Sequence, residues 1–215
     1  YNSIKKDGAI SLGSFLGQCS NLQYLELLIG WNEINYQGAI GLVYALSKCK
    51  KLSTFVYDLG ENQLREDMII YLSTALGQIT SLTKLDLKIY ESKIGNKAIS
   101  DIFNFLEDSI NLTTLNLSLQ WDTEYRGLSD FYQKFAKCSN LQYLRLNLDL
   151  FIMREYQIAD EIDLASILKN FTQLKFLEIN LGKNKIKKDS YPNFRSLTIK
   201  AKRLVKIIIS FSKEQ

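Results

Sequence analysis

The sequence predicts an α/β fold: a parallel β-sheet with helices packed on one side, assembled from repeated strand–turn–helix units. Three observations predict it. A leucine recurs as Leu22, Leu52, Leu82, Leu112, Leu141, Leu174 and Leu204, at steps of 30, 30, 30, 29, 33 and 30 residues. A fixed period of this length marks a repeat array. Each leucine is followed by alternation in which every second residue is apolar and those between are mostly polar, and a later segment of most units switches to helical spacing. The heptapeptide CSNLQYL, found at 19–25 and again at 138–144, is one tooth of this ladder met twice.

The strand comes first in each unit. The third, fifth and seventh residues after the repeating leucine are apolar or aromatic throughout: Leu25, Leu27 and Ile29, then Phe55, Tyr57 and Leu59, then Leu85, Leu87 and Ile89. The pattern continues through Leu115, Leu117 and Leu119, through Leu144, Leu146 and Leu148, through Leu177, Ile179 and Leu181, and into Ile207, Ile209 and Phe211. A period of two gives a strand with one buried face and turns the intervening residues outward.

A polar turn follows. It ends on an apolar residue twelve places after the leucine, at Ile34, Leu64, Ile94 and Ile186. An asparagine stands two residues earlier at Asn32, Asn62 and Asn184. Such an asparagine is expected to hydrogen-bond to the backbone of neighbouring turns, which would otherwise stay bare.

The helix closes the unit. Apolar residues six, ten and usually twelve places before the next leucine are expected on one helix face: Leu16, Leu12 and Ile10, then Leu46, Leu42 and Ile40, then Leu76, Leu72 and Ile70, and later Leu168, Leu164 and Ile162. Two units are looser, with Leu106 and Ile102, then Phe135 and Phe131. Three places before the leucine stand Cys19, Cys49 and Cys138, replaced elsewhere by Ile79, Ser109 and Phe171. Apolar replacements predict buried packing thiols.

One unit cannot bury its own apolar face, so the units must stack. Neighbouring strands need about 4.8 Å and neighbouring helices about 10 Å, so the stack is expected to bend with strands on its concave wall.

These residues carry a resemblance. LQYLELLIGWNEI, LSTFVYDLGENQL, LTKLDLKIYESKI and LKFLEINLGKNKI, with helical halves such as GAIGLVYALSKC, resemble leucine-rich repeat proteins of the ribonuclease-inhibitor-like subclass. The asparagine lies ten residues after the leucine where that family usually has eight. The longer strand resembles repeats of large ciliate protein families. The resemblance implies a leucine-rich repeat solenoid, a horseshoe whose concave sheet and adjacent loops bind other proteins. Residues 1–215 read as one such domain of about seven strand units; the opening YNSIKKDGAI, which lacks an initiator Met, reads as the inside of a longer array.

Composition narrows the chemistry. The chain has no histidine, which removes Ser-His-Asp and Cys-His catalysis and histidine metal sites. No phosphate-cradling glycine motif and no zinc-type cysteine spacing occurs. No enzyme activity and no cofactor are expected. Asp58 and Asp86 are expected on neighbouring strands, but carboxylate pairs of this kind are common on repeat surfaces and do not by themselves make a catalytic pair. No apolar run reaches 18 residues, so no membrane span is expected. Three cysteines, an odd count, predict a reducing, cytoplasmic setting rather than a disulfide scaffold. Three glycosylation sequons begin at Asn111, Asn116 and Asn170, in or beside strands.

The outward strand residues form three rows. The first holds Tyr24, Thr54, Lys84, Thr114, Tyr143, Phe176 and Lys206. The second holds Glu26, Val56, Asp86, Asn116, Arg145, Glu178 and Ile208, and the third Leu28, Asp58, Lys88, Ser118, Asn147, Asn180 and Ser210. Aromatic residues and arginine dominate binding hot spots. The expected partner-binding residues are therefore Tyr24, Glu26, Asp58, Asp86, Tyr143, Arg145, Phe176 and Glu178, with cross-strand stacking as the alternative reading. Trp31 and Trp121 at strand exits, and the long segment 150–161, could extend the surface.

The function these features predict is a non-catalytic scaffold binding another protein. One alternative is a regulator of a small GTPase acting through Arg145 or Arg126. Another is RNA or anionic-surface binding through residues 183–215, which carry ten Lys/Arg and two Asp/Glu. Nucleic acid is not the expected partner.

Overall fold

A computed structural model of the chain describes residues 2–62, 64, 65, 67, 69–90, 101–120, 138, 140–147, 173–180 and 205–210. They form an α/β fold built on one seven-stranded sheet. The strands are β1 (Tyr24–Leu28), β2 (Thr54–Asp58), β3 (Lys84–Tyr90), β4 (Thr114–Gln120), β5 (Tyr143–Asn147), β6 (Phe176–Asn180) and β7 (Lys206–Ser210). Every neighbouring pair is parallel, and the order in space is the order in sequence. Parallel pairing needs a crossover between strands. Among the described residues α1 (Lys5–Leu16) precedes β1, and α2 (Asn35–Leu46), α3 (Ile69–Gly77) and a 3-10 helix at Phe103–Glu107 lie in the crossovers from β1 to β4.

The alternating strand residues make the core. Phe55, Tyr57, Leu85, Leu87, Leu115, Leu117, Leu144, Leu146, Leu177 and Ile179 are all buried. Each such side chain taken out of water contributes roughly 1.5–3 kcal/mol. Leu42 and Leu46 of α2 and Leu72 and Leu76 of α3 complete it from the helix side.

The helix face differs from expectation at one position. Ile10 is 37% exposed, and Ile40 and Ile70 are only half-buried. The buried place is taken by Ala9 and Ala39 instead. Ile10 lies two residues from Leu12, about 200° around the helix, whereas Ala9 lies three residues away on the same side. Small residues here let helices approach closely. A Cβ added to Gly13 of α1 would stand 2.6 Å from the Leu42 Cα of α2.

Burial weakens at the β1 end. Leu12, Leu16, Leu22 and Leu27 pack against the core but are only partly buried, where Leu42, Leu46, Leu52 and Tyr57 in the next unit are fully buried. Among the described residues α1 packs mainly against α2, and β1 pairs only with β2.

Buried asparagines tie the turns together. Asn62 Oδ1 accepts the backbone N–H groups of Asn32 at 2.9 Å and Ile34 at 3.2 Å. Its Nδ2 donates to the carbonyls of Ile29 and Leu59. One unit earlier, Asn32 Oδ1 accepts the N–H of Asn2, and its Nδ2 donates to the Ile29 and Gly30 carbonyls. The same turns hold non-glycine residues at positive φ at matching places, Trp31 with Glu61 and Lys5 with Asn35. A conformation worth roughly 1 kcal/mol or more of strain, repeated at a 30-residue step, belongs to the turn itself.

Asn184, Ile94, Ile186, Trp121, Arg126, the helical apolar residues after Leu106 and the segment 150–161 lie outside the described residues. So does most of the basic stretch 183–215. Among the described residues, no helix is long and apolar enough to cross a membrane.

Candidate functional site

Outward strand residues lie on the sheet face turned away from the helices, and the parallel register sets them in rows. Tyr143 stands opposite Phe176, which stands opposite Lys206. Arg145 faces Glu178, and Asn147 faces Asn180 with Ser210 beyond it. Backbone pairing alone places these side chains in reach of one another, because same-row residues on adjacent strands lie about 5 Å apart.

Four of the expected residues meet here. The Tyr143 and Phe176 rings are 6.2 Å apart between centroids and tilted by 32°. Arg145 Nε donates to Glu178 Oε2 at 2.8 Å. The guanidinium carbon of Arg145 also lies 5.9 Å from the Phe176 ring centroid. Lys206 Nζ stands at 5.9 Å from the same ring. Two cations over one ring are each worth about 0.5–1 kcal/mol where solvent is near. Phe176 is therefore half-buried rather than open, whereas Tyr143 remains 45% exposed.

Beside this cluster runs a neutral row whose internal bonds spacing alone did not single out. Ser210 Oγ donates to Asn180 Oδ1 at 3.2 Å, and Asn180 Nδ2 donates to Asn147 Oδ1 at 3.0 Å. At the start of the strands, Ser53, Thr83 and Thr113 donate their hydroxyls to carbonyls of the preceding unit, at Gln23, Ser53 and Thr83. The signal for both rows is a small neutral polar residue, asparagine or serine in one and serine or threonine in the other, recurring at a fixed place in successive units.

The other four expected residues do not join the cluster. Tyr24 is 57% exposed on β1, and its hydroxyl donates to Glu26 Oε2 at 2.9 Å. That hydrogen bond, with smaller effects of burial and the Glu26 charge, raises the Tyr24 pKa. Val56 beside them is half-buried, not exposed as the row pattern implied. Asp58 and Asp86 lie on adjacent strands but one row apart, since Asp58 faces Lys88 and Asp86 faces Val56. Their carboxylates take separate partners. Asp58 accepts the Gly60 N–H at 3.1 Å and lies 4.0 Å from Lys88 Nζ, and Asp86 accepts from Asn116 Nδ2 at 3.1 Å. Of the sequon asparagines, Asn116 is engaged in that bond and Asn111 donates to the Thr80 carbonyl at 2.9 Å.

Cysteines and buried phenols sit away from this face. Cys49 and Cys138 are buried free thiols, and Cys19, in the less covered first unit, is only half-buried. Burial pushes the Cys138 thiol up to about 12, and burial together with nearby Cys19 raises Cys49. Neither thiol is a thiolate near neutrality, the form that metals and electrophiles need. Tyr57 is fully buried in the core, stacked on Phe55 at 4.9 Å, and its hydroxyl has no partner among the described residues. Among the described residues no group of three acidic, cysteine or histidine side chains could hold a metal ion.

A scan against protein-family models and a search of curated proteins return no match for this chain.

Proposed function

We propose that this chain is a leucine-rich repeat solenoid of the ribonuclease-inhibitor-like kind. In this reading it is a non-catalytic scaffold that binds another protein through its sheet face. The observation that carries this reading is the Tyr143–Phe176–Arg145–Glu178 cluster, an aromatic pair framed by a charge pair on a solvent-facing sheet. Rigid strands hold these side chains in one register, so little conformational entropy is lost when a partner docks. Strand order equal to sequence order, the 30-residue steps and the shared asparagine turns support a stacked, curved array. Separately partnered carboxylates and neutral buried thiols support a non-catalytic role, and three free thiols fit a reducing, intracellular setting.

The test is partner capture from the source cells by wild-type chain, followed by Tyr143→Ala/Phe176→Ala and a helix-side control, Tyr44→Ala/Tyr71→Ala. The expected result is a protein lost with the first variant and kept with the second. A partner retained by the first variant and lost by the control would move the site to the helices.

A further inference from the structure

The sheet face is polarised in charge. On β1 to β3 it carries Glu26, Asp58 and Asp86 against Lys84 and Lys88, and the Lys88 ammonium leans toward Asp58. On β5 to β7 the one carboxylate is Glu178, and it is held by Arg145. Arg145 uses Nε for that bond, and its side chain stays 50% exposed. Lys206 is exposed and has only the Phe176 ring beside it among the described residues. Lys175, next to Phe176, is exposed and donates to neutral Gln142 at 3.0 Å.

We propose that Tyr143, Arg145, Phe176 and Lys206 form a docking patch for an extended acidic segment of a protein partner. This rests on the scaffold reading above and adds the chemistry of the partner. Carboxylates of the segment meet the Arg145 guanidinium and the Lys206 ammonium, which reach one ring from the strands flanking it. Charge-assisted bonds of this kind are about twice as strong as neutral ones. An apolar side chain between the carboxylates packs on the exposed Tyr143 ring. The neutral Asn147–Asn180–Ser210 row beside the cations can exchange hydrogen bonds with the backbone of the segment without adding charge.

A single-stranded nucleic acid is the competing ligand for cations beside aromatic rings. Base stacking needs an open ring face. Both cations stand 5.9 Å from the Phe176 ring centroid, and the Tyr143 ring lies 6.2 Å away at a 32° tilt, so of the two rings Tyr143 alone is open enough to stack a base. Glu26, Asp58 and Asp86 on β1 to β3 would repel a polyanion long enough to run along the whole sheet, whereas a short acidic segment confined to β5 to β7 avoids them. The geometry therefore favours carboxylates held at single points over a continuous polyanion.

The experiment is fluorescence anisotropy on the whole chain with three labelled probes: acetyl-(Glu-Leu)4-amide, acetyl-(Lys-Leu)4-amide and a twelve-residue oligouridylate. The glutamate peptide is expected to bind at least tenfold more tightly than either other probe. Arg145→Gln/Lys206→Gln should weaken it at least tenfold with an unchanged circular dichroism spectrum. Glu178→Gln, which removes the competing carboxylate, should tighten it severalfold. No binding of the glutamate peptide, equal binding of the lysine peptide, tighter binding of oligouridylate, or affinity untouched by the double variant would each overturn the proposal. If the glutamate peptide fails to bind while Tyr143→Ala/Phe176→Ala still releases the captured partner, the acidic chemistry falls and the scaffold reading stands. If that variant keeps the partner, the scaffold reading at this patch falls by itself.

Discussion

The side-chain oxygen of Asn62 accepts the backbone N–H of Asn32, thirty residues earlier, at 2.9 Å in a buried turn. It accepts the Ile34 N–H as well, while the amide nitrogen donates back to Ile29. One side chain thus satisfies the backbone of two successive units. Leaving a buried donor or acceptor unpaired costs roughly 1–3 kcal/mol per group.

Asn62→Ala strands several of those groups together. It is expected to destabilise the chain by about 3 kcal/mol or more, read from the midpoint of urea unfolding. Asn32→Ala should cost less, because among the described residues its oxygen accepts one N–H, that of Asn2, where the Asn62 oxygen accepts two. Equal costs would remove the asparagine turns as the clasp between units.

Tyr57 poses the opposite case. Its hydroxyl is buried without a partner among the described residues, and burial drives its pKa far above the ordinary tyrosine value. Tyr57→Phe keeps the ring stacked on Phe55 and deletes only the stranded group. It should raise stability by about 1 kcal/mol or more. A loss of stability would show that the hydroxyl has a partner in solution. Leu115→Ala, which empties a fully buried place in the adjacent row, should instead cost about 2–5 kcal/mol.

The Arg145–Glu178 pair should contribute little to folding. Half the Arg145 side chain is exposed, so water screens the bond. A double-mutant cycle with Arg145→Gln and Glu178→Gln is expected to give a coupling of less than about 1 kcal/mol, shrinking as salt rises. A coupling of several kcal/mol would make the cluster a structural brace rather than a docking surface.

The Cys138 thiol carries a pH signature. Its folded pKa, pushed up to about 12, lies above that of a free thiol in the unfolded chain. The folded state therefore holds its proton more tightly. The stability tied to this group is complete below about pH 8.5 and is lost as pH rises from there toward 12. Cys138→Ser and wild type, unfolded in parallel at pH 8 and pH 10, should differ in slope, with the wild type losing more. At pH 8, half-buried Cys19 should react with a thiol reagent well before Cys138. Faster labelling of Cys138 would contradict its burial.

Much of the architecture was legible because period and spacing are local properties of the chain. Alternation marked the strands, and the 30-residue step set which strand lies beside which. From those two facts came the rows that the register displays, including Tyr143 opposite Phe176 and Arg145 opposite Glu178. What spacing cannot carry is the reach and competition of side chains across units. Helical angle already sets Ala9 rather than Ile10 on the side of Leu12, and the tertiary structure adds how closely α2 approaches there, with a Cβ on Gly38 meeting the Ala9 Cβ at 3.2 Å. It also set Asp58 and Asp86 one row apart with different partners, and drew Lys206 and Arg145 toward one ring. The alternating pattern alone determined which face of each strand is buried, because a two-residue period leaves no choice. Which outward side chains find one another was decided by packing, because a charge or an amide bonds to whatever the fold brings within about 3 Å.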